Sequence, residues 1–382
     1  MKSYSKADAN GRVSGQLALA SAVEPCSRHL TGRRQNREDR MFNDCKTMAQ
    51  KASRWMRHMG VAAAALAITG GVAMAQELKQ VTVVLPGSSA MAWYPMIVAQ
   101  QRGFFKEEGL EVTIKSLDGS GAVLQAMEAG RAEFGAPGPG PVLNAVARGA
   151  DVKFFYNLFS RGLFVLAGDR NDGIDSAEGL RGKQIGVSTA DGAEVSFARS
   201  ALASVGVQPD EYKFVTIGQE GMAVTAFDRD TIHAFAASFT GIAVLKDRGV
   251  DVVDLTPEGP DLFGNGLAVR GEIYRDNPEM VAGFAKAIHK ATKWGMENPE
   301  GVLEDGETYN PQEVERREYA RALLDTVNQQ YAPIGDNTLG YLPESGWNAW
   351  HKSLLETGEL DKAIEDLSVV YTNEFVENLE AK

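Results

Sequence analysis

From Val81 onward the chain alternates short apolar segments with helical ones, and no other feature limits its possible folds so much. Residues 81–85 are a β-branched run stopped by Pro86-Gly87, which reads as a strand and a turn. Pro95 opens a helical segment at 96–102 and Gly103 closes it, the positions these two residues favour. Residues 111–115 alternate as a strand does. Gly119-Ser120-Gly121 leads into a helix with Val123, Leu124 and Met127 on one face, ended by Gly130. A brief strand at 134–136, a proline-glycine turn at 137–141, a helix to Arg148 and a buried strand at 152–159 follow. Further strands are expected at 163–167, 184–187 and 212–217, with helices at 194–204 and in a segment capped by Asp175 and ending near Leu180. Residues 222–227, 234–237 and 252–253 continue the pattern. From Pro278 the chain turns helical, with long segments at 280–294, 312–329 and 345–356. Such alternation predicts an α/β protein whose parallel or mixed sheets are covered on both faces.

The first 75 residues are of another kind. Residues 51–59 are basic, residues 60–73 are almost uncharged and rich in alanine, and Ala73-Met74-Ala75 offers a small-x-small site before Gln76. Those three parts make a cleaved signal peptide, expected at 48–75 with Met48 as its natural start. Residues 1–47 are then expected to be an over-extended N-terminus. The chain has 39 Lys and Arg against 51 Asp and Glu, a formal charge of −12. Residues 1–75 hold 12 and 5 of these, so 76–382 carries 27 and 46, a charge of −19 over 307 residues. That balance excludes a general nucleic-acid binder. Both cysteines, Cys26 and Cys45, fall in the leader, so the exported chain is expected to lack thiol chemistry altogether.

Chemistry-bearing motifs are scarce. His233, His289 and His351 show no metal-ligand spacing, and no P-loop, GxSxG or strand-following GxGxxG occurs. No metal and no cofactor is expected. What stands out is a set of helix starts entered through small residues: 119–121, 139–141 and 189–192. In an open α/β sheet, ligands bind beyond the carboxyl ends of the strands, where helix N–H groups are free. The same turns also serve as ordinary βα connections.

Several stretches together resemble the substrate-binding proteins of bacterial ABC importers, in the nitrate/sulfonate/taurine group. That group shares its pattern with the thiamine-precursor-synthesis-like proteins. The stretches are Tyr94-Pro95 with Ala99, then 102–112, 125–135, 179–187, Asn277-Pro278 with Met280, Gly358-Glu359-Leu360, and 371–376. The resemblance spans nearly all of 78–380. It implies a two-lobed periplasmic-binding-protein fold of type II, with lobe 1 at 77–166 and 268–382 and lobe 2 at 167–267. It also implies a monomer in the periplasm that closes on a small-molecule ligand and docks on an inner-membrane permease with a separate ATPase.

The ligand contacts that the resemblance implies are Ser89, Trp93 and Tyr94 after the first strand, and Ser120 and Gly121 at the second helix start. At the third helix start the family offers small hydroxyl residues. Here Pro139-Gly140-Pro141 leaves only the backbone N–H of Gly140. The second lobe contributes Thr189, Asp191, Ser238 and Phe239. Asp191 and Glu194 are unexpected at a plain nitrate or sulfonate site, because a like charge opposes the anion. Asp191 either caps the helix that follows or receives an amine. Trp93, Tyr94 and Phe239 either stack on a flat ligand or pack the lobes' rims. The expected function is non-enzymatic capture of a small organic anion or zwitterion, sulfonate- or taurine-like. The alternatives are a thiamine-precursor pyrimidine or an aromatic acid as ligand, a synthase on the same fold, or a periplasmic sensor subunit. The synthase chemistry implied by the family relies on cysteine and histidine that 76–382 does not offer.

Overall fold

The computed structural model describes residues 77–218, 220–258, 262–377 and 379. The over-extended N-terminus expected at 1–47 and the signal peptide expected at 48–75 lie outside the described residues. In chain order the first half comprises β1 (Lys79–Leu85), α1 (Tyr94–Gln101), α2 (Phe104–Glu107), β2 (Leu110–Ser116), α3 (Gly119–Glu128), β3 (Phe134–Gly135), α4 (Pro139–Ala147) and β4 (Val152–Asn157). Next come β5 (Phe164–Asp169), β6 (Gln184–Val187), α5 (Ala193–Ser204), β7 (Lys213–Thr216), α6 (Glu220–Asp228), β8 (Ala234–Ser238), α7 (Phe239–Asp247) and β9 (Val252–Asp254). The chain ends with β10 (Gly266–Arg270) and the helices α8 (Gly271–Asp276), α9 (Pro278–Glu297), α10 (Pro299–Tyr309), α11 (Pro311–Val314), α12 (Arg317–Tyr331) and α13 (Glu344–Glu356).

The strands build two five-stranded mixed sheets, in the orders β2-β1-β3-β10-β4 and β7-β6-β8-β5-β9. In the first, β1 runs parallel to β2 and β3 while β10 is antiparallel to β3 and β4. In the second, β6 runs parallel to β7 and β8 while β5 is antiparallel to β8 and β9. The chain changes sheet twice, between β4 and β5 and between β9 and β10. Phe164 to Leu166, expected with lobe 1, stand in β5 of the second sheet. Gly266 and Leu267, expected with lobe 2, stand in β10 of the first. Both expected boundaries fall inside the apolar runs of β5 and β10, a few residues past the polar segments where the chain changes sheet.

Strands buried on both faces explain the apolar run of β1. Val81, Val83 and Leu85 join a core with Ile97, Phe284 and Ile288, and Val84 faces the opposite core with Val123 and Met127. Phe284 in α9 stacks on Phe134 of β3 at 4.2 Å and 16°, with Phe105 of α2 at 5.0 Å. The opposite core extends through Val142 of α4 and Trp347, Trp350 and Leu354 of α13 to Val195 and Ala198 of α5 and Ile185 of β6. Trp347, Trp350 and Leu354 are spaced for one helix face.

Three expected elements differ. The segment ending at Leu180 is a short 3-10 turn, Ala177–Leu180, preceded by Ser176, not Asp175. The helix expected at 312–329 is broken into α11 and α12, because Arg316 leaves helical geometry at φ −94° and ψ 78°. The strand expected to reach Phe159 ends at Asn157, where the chain turns into the first crossing.

Candidate functional site

Between the two sheets lies a cleft of about 610 Å³, formed where the parallel strands of both sheets reach their carboxyl ends. The loop after β1 contributes Ser89 and Trp93, and the start of α3 contributes Asp118 and Ser120. From the second sheet come Thr189 and Glu194 after β6, and Ser238, Phe239 and Thr240 after β8. The two crossings supply Phe159 and Asn265, and the helical tail closes the wall with Asn310, Glu313 and Tyr319.

The hydroxyl groups here are largely committed to holding the loops. The Ser89 hydroxyl donates to Glu313 Oε1 and accepts from the N–H of Ala92 at 3.0 Å. Ser120 Oγ accepts from the N–H of Gly138 at 3.0 Å. The N–H and the hydroxyl of Thr189 both donate to Glu194 Oε1, at 2.9 and 3.2 Å. Ser238 Oγ caps α7 by accepting from the N–H of Gly241 at 3.1 Å, and it shares a 2.6 Å bond with the Thr240 hydroxyl.

The aromatic wall is continuous. Trp93, only 5% exposed, meets Phe159 edge-on with centroids 5.4 Å apart. Phe159 in turn lies 5.9 Å from Phe239, which is half-buried. Packing against each other and lining the cleft are therefore not exclusive for these rings.

Glu313 is the wall carboxylate that ties the loop after β1 to the helical tail. Besides Ser89, it accepts from the backbone N–H groups of Ala90 and Met91. Burial pushes its pKa up, while the bonds from Ser89, Met91 and Ala90 pull against that rise. It thus occupies the donors that the loop after β1 would otherwise offer to a ligand anion.

Four expected site residues stand apart from this lining. Tyr94 turns into the core, where its hydroxyl bonds to Thr292 O and Asn328 Oδ1 at 3.1 and 3.0 Å, and burial drives its pKa upward. Its place in α1, one residue after Trp93, points it to the opposite side. Gly140 faces Ser196 and Trp350 across the junction with α5 and α13. Gly121 and Asp191 line a separate hollow of about 240 Å³, behind the cleft. Asp191 does not cap α5, whose N-cap is Gly192 with no side-chain bond. Its carboxylate lies where a Cβ on Gly121 would fall, 1.8 Å away. Gly138 is similarly tight: its Cβ would come 2.4 Å from that of Ala193.

Sequence reading passed over Asp118, Phe159, Asn265, Glu313 and Tyr319. Glu313 carried one signal, since Asn310-Pro311-Gln312-Glu313 has the capping-box spacing and Asn310 does accept from the N–H of Glu313. Its carboxylate reaches the distant Ser89 loop instead of its own cap. His233, His289 and His351 do not line the cleft. Among the described residues, no group of three or more His, Cys, Asp and Glu is placed to hold a metal ion. None of their helices is long and apolar enough to cross a membrane.

Comparison with known proteins fits this geometry. The family model described as NMT1/THI5 like matches residues 91–302. A 4-amino-5-hydroxymethyl-2-methylpyrimidine phosphate synthase of Legionella pneumophila is 28% identical over 246 residues, 61% of this chain and 74% of that protein. The riboflavin-binding protein RibY of Chloroflexus aurantiacus is 25% identical over 309 residues, 78% of this chain and 86% of that protein. Among solved structures, the alkanesulfonate-binding protein SsuA of Xanthomonas axonopodis pv. citri, bound to MOPS, superposes with a TM-score of 0.64 at 15% identity. It covers 78% of this chain and 99% of its own. The fold is that of the periplasmic binding proteins.

Proposed function

The chain belongs to the NMT1/THI5-like family, and on that premise we propose that it is the ligand-capturing component of an ABC importer. The cleft carries the reading: two sheets face each other across about 610 Å³, and among the described strands the chain passes from one to the other twice, between β4 and β5 and between β9 and β10. Two such segments act as a hinge, and closure stores the differential affinity for the liganded state. The halves built on the two sheets are the lobes, the protein works as a periplasmic monomer, and a permease with a separate ATPase receives the closed form. The ligand is a small organic molecule with a flat or apolar body, seated against Trp93, Phe159 and Phe239. A riboflavin-binding relative supports a flat ligand, and the sulfonate-binding fold neighbour is the support for the sulfonate- or taurine-like reading. The position of His233, His289 and His351 off the cleft lining favours capture over the synthase activity of the Legionella relative.

Mass spectrometry of small molecules released from the protein purified from its native periplasm tests the proposal, followed by small-angle scattering with the identified compound. Compaction on saturation is expected; a particle of unchanged dimensions would refute hinge closure. Loss of uptake of that compound on gene deletion supports import, and retained uptake with lost signalling would support a sensor instead.

Two variants probe the cleft directly. Trp93→Ala is expected to weaken ligand binding by about 1–3 kcal/mol, as for a desolvated aromatic anchor. An unchanged dissociation constant in a correctly folded variant would remove Trp93 from the site. Across the cleft, Arg316 pairs in fork geometry with Asp247 at the end of α7, both bonds 2.6 Å, and this holds the Asp247 carboxyl below its usual range. Asp247→Asn is expected to speed ligand release with little change in unfolding midpoint, and the difference from wild type should shrink in high salt. Stopped-flow release at two salt concentrations checks it.

A further inference from the structure

We propose that the hollow behind the cleft is a second small-molecule site, for an extended zwitterion with an amine at one end and a carboxylate at the other. The hollow measures about 240 Å³ and is walled by α3, α4 and α5. Each helix turns the positions i, i+3, i+4 and i+7 towards it, counted from 121, 141 and 192. Seven residues of helix give a depth of about 10 Å. All three helices follow the carboxyl end of a strand, so all three start at the cleft and descend together. Glycine or proline therefore stands at the head of the hollow on every helix, and Glu128, Arg148 and Arg199 stand at its foot.

The charges at the two ends are opposite and do not meet. The foot holds two guanidinium groups, that of Arg199 lying 5.3 Å over the Phe214 ring. The head holds the Asp191 carboxylate, set against Gly121 at the start of α3. Among the described residues neither arginine nor Asp191 makes an ion pair, whereas Arg275 at the surface pairs with Asp151 at 2.7 Å. The other two carboxylates of the lining compete weakly. Glu359 is engaged by the hydroxyls of Ser196 and Thr357 at 2.8 and 3.4 Å, and burial pushes its pKa up. Glu128 is exposed, where solvent screens it, and it leaves the foot with an excess of positive charge. Arg148 and Asp191 are exposed too, so a ligand reaches both ends. A zwitterion of matching length answers both charges at once, while a simple anion or cation answers one and meets its own sign at the other. Because α3 and α4 connect strands of the first sheet and α5 strands of the second, the occupant bridges elements of both.

Calorimetric titration of the purified protein with 6-aminohexanoate, hexanoate, hexylamine and glycine tests the site. The first is expected to bind about fivefold tighter than each of the others, since glycine carries both charges but cannot reach both ends. Arg148→Gln is expected to weaken 6-aminohexanoate about fivefold and leave hexylamine within about twofold. Asp191→Asn is expected to weaken it about fivefold and leave hexanoate within about twofold. Both residues are exposed, so unfolding midpoints of the variants should match wild type. Equal affinity for 6-aminohexanoate and any other probe, or no saturable binding, would overturn the site. Binding that is lost in Trp93→Ala and kept in both hollow variants would place the probe in the cleft and overturn it as well. In every case capture in the cleft is decided separately, by the compound released from native protein.

Discussion

Replacing Trp350 with alanine should cost the folded chain about 3–5 kcal/mol, among the largest losses any single side chain here can produce. Trp350 is almost wholly buried in α13, its indole N–H donates to Phe263 O at 2.9 Å, and its ring edge closes over Gly140 at the start of α4. Phe263 lies on the second crossing, two residues before Asn265. The substitution therefore empties the junction of α13 with the start of α4 and releases the anchor it gives to the segment before β10. Trp350→Phe keeps most of the apolar burial and loses the donor alone, leaving a buried carbonyl unpaired at a cost of about 1–3 kcal/mol. Urea unfolding of both variants separates packing from anchoring. A loss below about 1 kcal/mol for the alanine variant would mean that this junction is not part of the cooperative fold.

Glu313→Ala should be the next most damaging change, at about 2–4 kcal/mol, because it strips the backbone N–H groups of Ala90 and Met91 and the Ser89 hydroxyl of their common acceptor. The loop that positions Trp93 loosens with it, so ligand affinity falls too. Glu313→Gln is nearly isosteric: its carbonyl oxygen accepts from the two N–H groups and its amide donates to Ser89. The pH response distinguishes the carboxylate from its amide. Burial raises the Glu313 pKa above its ordinary 4.5, so the folded state holds the proton more tightly than the unfolded state. The resulting contribution is fully present below about 4.5 and is lost as pH rises through the elevated folded value. Stability of the wild type relative to Glu313→Gln should therefore decline from pH 4 towards neutrality. A difference that stays flat, or grows with pH, would contradict the desolvated carboxylate.

Much of the architecture was legible in the residue pattern, for local reasons. The strand at 184–187 is bounded by Gly182-Lys183 and by polar Ser188-Thr189, and β6 spans those same four residues. The α3 helix begins at the small residues expected of a βα turn and ends before Gly130. Six of the ten expected site residues, Ser89, Trp93, Ser120, Thr189, Ser238 and Phe239, line the cleft because they sit at strand ends, where topology fixes their side of the sheet. What escaped the pattern depends on distant partners. Glu313 meets Ser89 across 224 positions, and Asn265 meets Ala136 across 129. Arg316 breaks an otherwise plausible helix while its guanidinium reaches Asp247 from the far side of the cleft. Asp191 is a favoured cap residue, but Gly192 takes the cap position, one residue later.

The sheet order also dictates a timetable for self-assembly. All strands of the second sheet lie in one uninterrupted stretch, from Phe164 to Asp254, and can pair as soon as that stretch exists. The first sheet cannot: β10 is the strand that joins β3 to β4, and it comes after the whole of the second sheet. Even β4 gains a further partner only when Tyr371, near the end of the chain, bridges to Phe154. Until then β3 and β4 present open edges, and the loop closure needed to cover them spans the entire second sheet. Such long-range pairing is slow. The half of the protein that starts first is thus finished after the other, and a chain emerging from a ribosome keeps β3 open-edged until β10 has arrived.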